Sequence, residues 1–325
     1  MSSIMYTGTV VQQADKPTET LCVAVIDLGT NSFRMTIATI SDSMVRPIAY
    51  SKEAVRLGQS LGGHPARLSF KGMRRAWRCL ERFKEMLQSY PVTALKIVGT
   101  SALRQASNSS QWLQTAQEIL GHPIEIISGD EEGRLVYELF SKQIAKSSHA
   151  QHWVMDIGGG STEIVLGNTK GIMQIFSLDM GCVTLQKKYP LHWAMSLKGY
   201  DALVAYCIKL LEKKIPLQER RAPAWITKGI APVVLEIAKA HGWQSTLDCC
   251  LIEKVQKQMC KDRFGLKGLD KSKRQIFPYG LAILQAVMIH LHLPAIGVSN
   301  LALEDALLLR LCALEAQSVM IEPSR

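Results

Sequence analysis

The chain has 325 residues, 47% of them hydrophobic, with a formal net charge of +10 and a pI near 9.2. That length predicts about two domains and a sizeable core, and the charge points to anionic partners: phosphorylated metabolite, polyphosphate or nucleic acid. No run approaches the ~18 consecutive apolar residues of a membrane span, and the eight cysteines include no Cys-x-x-Cys pair. The P-loop Gly-x-x-x-x-Gly-Lys-Ser/Thr, zinc spacings and a Ser-His-Asp order are all missing.

Met1 to Thr20 lacks a basic start followed by an apolar run, so it reads as a loose leader and not a secretory signal. A reducing, cytoplasmic location is expected, with thiols as core fillers. No membrane partner follows, and no specific nucleic acid, because the basic clusters are not interleaved with aromatics. Oligomeric state is not readable; a homodimer stands as one expectation.

In chain order, Cys22 to Ile26 is a predicted strand, followed by the turn Asp27-Leu28-Gly29-Thr30-Asn31-Ser32 and a returning strand to Ile40. Arg46 to Glu53 is a further strand, and Gly72 to Ser89 an amphipathic helix, with Ala76, Leu80, Phe83 and Leu87 at helical spacing. Ala94 to Val98 is a short strand ending in Gly99-Thr100-Ser101-Ala102-Leu103-Arg104. Hydroxyls and an Arg past a strand end suit an anion; equally, Thr100 or Ser101 caps a helix and Arg104 stands in solvent. Trp112 to Leu120 is a helix and Ile124 to Ile127 a strand.

Ser128 opens a helix reaching about Lys146, and its spacing to Glu131 is that of a capping box, which leaves Glu132 free. The strand Val154 to Ile157 then runs into Gly158-Gly159-Gly160-Ser161-Thr162-Glu163. This repeats the order strand, Asp, apolar, Gly, small polar about 130 residues after the first copy. Glycines let successive backbone N–H groups converge on an anion. Strands follow at Thr162 to Leu166 and Gly171 to Phe176, and Gly181 reads as permitting a tight turn. Further helices are expected at 196–214, 231–240, 251–260, 278–290 and 301–316, with strands at 224–227 and 295–298. His290, on an apolar run, is expected in a packing role.

Two such turns in duplicated halves imply two domains facing each other across a cleft. Asp27 and Asp156 at the strand ends suit a hard cation such as Mg²⁺ or another divalent ion, with Glu163 added to the ligand set and K⁺ as a further candidate. Gly29 to Ser32 and Gly158 to Thr162 are the candidate phosphate contacts. Phosphoryl transfer needs positioning, charge neutralisation and an aligned nucleophile. Glu132 is the carboxylate best placed to activate water.

The blocks Asp27 to Arg34, Gly99 to Ala106, Ile127 to Leu135, Asp156 to Glu163 and Met180 to Cys182, in this order, resemble the exopolyphosphatase/guanosine pentaphosphate phosphohydrolase (Ppx/GppA) family. A weaker match continues at Pro278 to Leu284. The resemblance implies an α/β protein of two RNase H-like (actin-like ATPase) domains. The first is 21–127, completed by the C-terminal helix 301–316, and the second is 128–300; the helical HD-like domain of longer members is lacking. It also implies Glu132 as catalytic base, Arg104 as a phosphate contact, and a polyphosphate or guanosine polyphosphate substrate losing its terminal phosphate. Two segments depart from the family pattern: Thr227 to Pro232, where a Gly-x-Ser-Gly-Thr loop is usual, and Ser299 to Ala306, where Glu304 replaces an Arg. Both departures motivate an alternative, a regulatory protein that binds polyphosphate or guanosine tetraphosphate with little turnover. An actin-like kinase is disfavoured by the missing late glycine motifs.

Overall fold

The structure, a computed structural model, describes residues 21–41, 44–141, 151–216, 223–226, 229–262, 265–299 and 302–319. The leader 1–20, the expected helix end at 142–146, and residues 227–228 and 300–301 of the departing segments lie outside them.

Strand β1 (Leu21–Leu28) is an uninterrupted apolar run as far as Asp27 because both its faces are covered. Ala24, Ile26 and Leu28 enter one hydrophobic cluster, Val23 and Val25 another, following the two-residue period of a strand. β1 pairs antiparallel with β2 (Phe33–Ser41), which pairs antiparallel with β3 (Met44–Glu53). A small hairpin of β4 (Leu61–Gly62) and β5 (Arg67–Leu68) leads to α1 (Phe70–Gln88). The hydroxyl of Ser69 accepts the Gly72 N–H at 3.2 Å, capping α1, which buries Met73, Ala76, Leu80 and Phe83 on one stripe. β6 (Ala94–Gly99) then runs parallel to β1, and after α2 (Ser101–Gln105) and α3 (Ser109–Leu120), β7 (Glu125–Ile126) runs parallel to β6.

Helix α4 (Gly129–Ser141) leads into β8 (His152–Ile157), β9 (Thr162–Asn168), β10 (Gly171–Leu178), α5 (Cys182–Lys188), α6 (Leu191–Ala194) and α7 (Leu197–Lys214). Then come β11 (Ala224–Ile226), α8 (Ile230–Ala240), α9 (Cys249–Asp262), α10 (Phe277–His290), β12 (Gly297–Val298) and α11 (Leu303–Val319). The first sheet has the order β3-β2-β1-β6-β7 and the second β10-β9-β8-β11-β12. Each is an antiparallel meander extended by two parallel strands. The duplication read from the two Asp-x-Gly turns is therefore topological, with Asp27 and Asp156 both on central strands.

α1 and α3 share a cluster with one face of the first sheet, and α7 to α10 share one with a face of the second. Between the sheets, α4 packs on β8, β9 and β10 while α11 packs on β1, β2 and α4. His290 is buried and its Nε2 lies 2.9 Å from the Ile215 carbonyl, the packing role expected.

α5 and α6 are each too short to show a helical period in the sequence. Gly181, expected to permit a tight turn, has another reason to be glycine. Its φ of −115° suits any residue; a Cβ there would instead lie 2.4 Å from the backbone of Gly159 and Gly160. Glycine is required because α5 is pressed against the second turn.

Candidate active site

The two turns are held by their carbonyls. Those of Gly158 and Gly159 accept the N–H groups of Cys182 and Val183 at 3.1 and 2.7 Å, and that of Gly160 accepts the Thr184 hydroxyl at 2.8 Å. Because the carbonyl and N–H of one trans peptide point in opposite directions, the N–H groups of Gly159, Gly160 and Ser161 are turned away from α5. In the first turn the carbonyls of Thr30 and Asn31 accept from Gly58 and Arg56 at 2.8 and 2.7 Å, which orients the N–H groups of Asn31 and Ser32 in the same manner.

Both turns line a cleft of about 440 Å³. Asp27, Glu132 and Asp156 also line it, with the cations Arg34, Lys52, Arg56 and Lys273 and an apolar wall that includes Ile230, Val233 and Phe277. The turns nearly touch, since a Cβ on Gly159 would lie 3.2 Å from Cβ of Thr30.

Glu132 stands in the first turn of α4, its N–H bonded to the Ser128 carbonyl at 3.0 Å. Its carboxylate is buried and takes a 2.9 Å bond from Nη1 of Arg104, the nitrogen that also donates to the Ile127 carbonyl at 2.8 Å. Nη2 of Arg104 reaches the Ser161 hydroxyl at 3.3 Å and lies 4.0 Å from Glu163. Carboxylate oxygens of Glu132, Asp156 and Glu163 all lie within 4.8 Å of one another. Three acids facing chiefly one guanidinium in a buried place raise the cost of negative charge. Burial pushes Glu132 up to about 7, with Arg104 opposing and Asp156 adding to it. Burial, then repulsion by Glu132 and Asp156, holds Glu163 well above the usual carboxylate range. Oε2 of Glu163 is buried with no partner among the described residues. An orphaned oxygen beside two further carboxylates is a hard-donor set that fits a divalent cation.

Four expectations change. Asp27 is not among the converging carboxylates: β1–β2 register sets it opposite Arg34, whose Nη1 lies 3.3 Å from Oδ2 of Asp27 and 3.4 Å from Oε2 of Glu304. Thr162 does not face the cleft; its side chain is fully buried and its hydroxyl donates to the Met180 carbonyl. Glu131 accepts no capping bond in return for its own N–H bond to Ser128 (3.0 Å); its carboxylate instead pairs with Arg310 of α11 and, at 3.5 Å, with Arg134. Arg104 is not in solvent, and Thr100 occupies the cap position of α2 without a side-chain bond.

Arg34 is a cleft residue to which the sequence reading assigned no role, though its alternation with Phe33 and Met35 across from Asp27 was the available signal. Lys52 and Arg56 carry no local signal, and Lys273 is marked only by its place in the basic stretch from Lys254 to Arg274.

The sequence profile of the Ppx/GppA phosphatase family matches residues 36–315. The chain belongs to the Ppx/GppA phosphatase family. It is 35% identical over 295 residues to a guanosine-5'-triphosphate,3'-diphosphate pyrophosphatase of Vibrio vulnificus, covering 87% of this chain and 58% of that protein. The chain thus spans less than two thirds of that relative's length. Among solved structures, an exopolyphosphatase from Cytophaga hutchinsonii superposes with TM-score 0.79 at 23% identity, covering 90% of this chain and 98% of that one. The Aquifex aeolicus PPX-GPPA enzyme superposes with TM-score 0.72 at 21% identity, covering 90% and 100%. These likenesses establish the shared fold, α/β with two halves of the same sheet topology and a cleft lined by the turn of each. No described helix is long and apolar enough to cross a membrane.

Proposed function

We propose that this protein is a phosphohydrolase that removes the terminal phosphate of a guanosine pentaphosphate-type nucleotide or of inorganic polyphosphate. The observation that carries the reading is the placement of Glu132 beside Asp156 at the meeting point of two anion-holding turns. The outward N–H groups of both turns receive the terminal phosphate, and Arg104, which donates to Glu132 and to the Ser161 hydroxyl, supports its charge. Glu132, ionised near neutrality, takes a proton from water as the water attacks phosphorus, and the bond to the bridging oxygen breaks. Asp156 and Glu163, with Glu132 alongside, are the residues that would hold a divalent ion. When bound, Mg²⁺ would neutralise charge on the phosphate oxygens. In this reading residues 21–127 with the C-terminal helix form one half and 128–300 the other, supported by α11 packing on β1 and β2 and by α4 packing on the second sheet.

The test is phosphate release by the purified protein with Mg²⁺ from guanosine pentaphosphate and from polyphosphate, side by side. Glu132→Gln should remove the activity, and retained activity in that variant would sink the assignment. A second reading, a regulatory protein with little turnover, is favoured by Glu304, which sits where the family usually has Arg and draws Arg34 into an ion pair. Calorimetric binding of either compound with no phosphate release decides for it.

A further inference from the structure

A smaller cavity of about 220 Å³ lies on the α5 side of the two turns. Thr30, Ser101 and Gly160 line both this cavity and the cleft, so the partition between the two spaces is one residue thick. A Cβ on Gly160 would lie 2.4 Å from Oγ and 2.8 Å from Cβ of Ser101 and 2.6 Å from Oγ1 of Thr30, so the partition here is the Gly160 backbone packed directly on those two side chains. Oγ1 of Thr30 accepts the Ala102 N–H at 3.2 Å, and Oγ of Ser101 accepts from Gln105 at 3.0 Å. Each hydroxyl has a single proton to donate and two lone pairs, so both protons remain available to an oxyanion. Beyond them the cavity's ionisable lining among the described residues consists of Lys187 and Lys188, with no carboxylate. Lys188 stands over the Tyr206 ring at 4.0 Å, and Lys187 donates to the Leu61 carbonyl.

Resting on the phosphohydrolase reading, we propose that this cavity is the exit route for the inorganic phosphate set free by hydrolysis. The terminal phosphate is cleaved between the turns, while the larger product fills the side from which it entered. The free phosphate then has its leaving group in front and two hydroxyls behind. A step past those hydroxyls delivers it to a cavity whose charge is wholly positive, where it waits without crossing the path of the other product. Opening the partition requires the buried side chains of Thr30 and Ser101 to move away from the Gly160 backbone. Product departure sets the rate of many enzymes, so the route bears on kcat.

The experiment uses the double variant Lys187→Gln/Lys188→Gln, whose substituted side chains are exposed and leave the core intact. Quenched flow with acid reads phosphate cleaved from guanosine pentaphosphate, or from polyphosphate if that is the compound turned over; a fluorescent phosphate-binding reporter reads phosphate released. The expected result is unchanged cleavage with release slowed roughly three- to tenfold, the scale of two exposed charge contacts. Lys187→Arg/Lys188→Arg should restore release. Release equal to that of the unsubstituted protein overturns the proposal, as does equal slowing of cleavage and release. Absence of cleavage in the unsubstituted protein refutes the phosphohydrolase reading itself, and the quenched-flow arm alone reveals it.

Discussion

Arg104 and Glu132 meet at 2.9 Å from helices 28 residues apart in sequence, and the guanidinium lies between the proposed base and the Ser161 hydroxyl of the second turn. The pairing sets the protonation of Glu132, because Arg104 opposes the upward push of burial. Arg104→Met is expected to move the acid limb of the kcat/KM profile from near neutrality to higher pH, and to lower kcat. A limb that stays in place would separate Arg104 from the titration of the base. Glu132→Gln should cost ~10² to 10⁴ in rate without loss of fold, read as phosphate release together with circular dichroism.

Burial pushes Asp27 up to about 7 against the pull of Arg34, with Oδ1 unpartnered among the described residues. A carboxyl raised on folding binds more protons in the folded state between its unfolded value and its folded one. Stability is then fully present below about pH 4 and is lost as pH climbs toward 7, by on the order of 4 kcal/mol at most. Asp27→Asn should flatten this slope in melting curves recorded from pH 4 to 8 on metal-free protein.

Glu163 places an orphaned oxygen against two other carboxylates. In the absence of metal, Glu163→Gln is expected to raise the melting temperature by relieving buried repulsion. With Mg²⁺ or Mn²⁺ at 100 times its dissociation constant, the unsubstituted protein should gain about 2.7 kcal/mol. That gain should vanish in the variant. Thermal melting without substrate separates this outcome from any effect on catalysis.

Glu304 on α11 and Asp27 on β1 share Nη1 of Arg34. Removing the Glu304 charge leaves Arg34 held by one acid and turns more of its positive potential to the cleft. Glu304→Gln should tighten binding of polyphosphate severalfold and steepen its dependence on salt, measured by calorimetry at two ionic strengths.

Gly181→Ala presses a methyl into the backbone of Gly159 and Gly160. Overpacking of this kind costs about 1–3 kcal/mol. Because the displaced atoms belong to the second turn, substrate affinity should fall along with the melting temperature. Lower stability with unchanged KM would mean that the turn relaxes without altering its N–H groups.

Local pattern was sufficient for whatever depends on neighbours in the chain. The two Asp-x-Gly turns, the amphipathic α1 and the hairpin of β1 and β2 were legible because strand period, helical stripe and glycine placement are short-range constraints. Sequence order alone also paired the halves, since the turns repeat at a fixed distance and the sheets around them have one topology. The third dimension decided how the charges are shared. Glu132, carried by α4, joins the hairpin pair Asp156 and Glu163; Glu131 finds Arg310, 179 residues away, in place of its own helix end; Glu304 reaches Arg34 across 270 residues. Such partners are set by how α4 and α11 pack between two sheets. A buried carboxylate takes whichever cation or acid that packing brings within about 4 Å, and no local spacing encodes the choice.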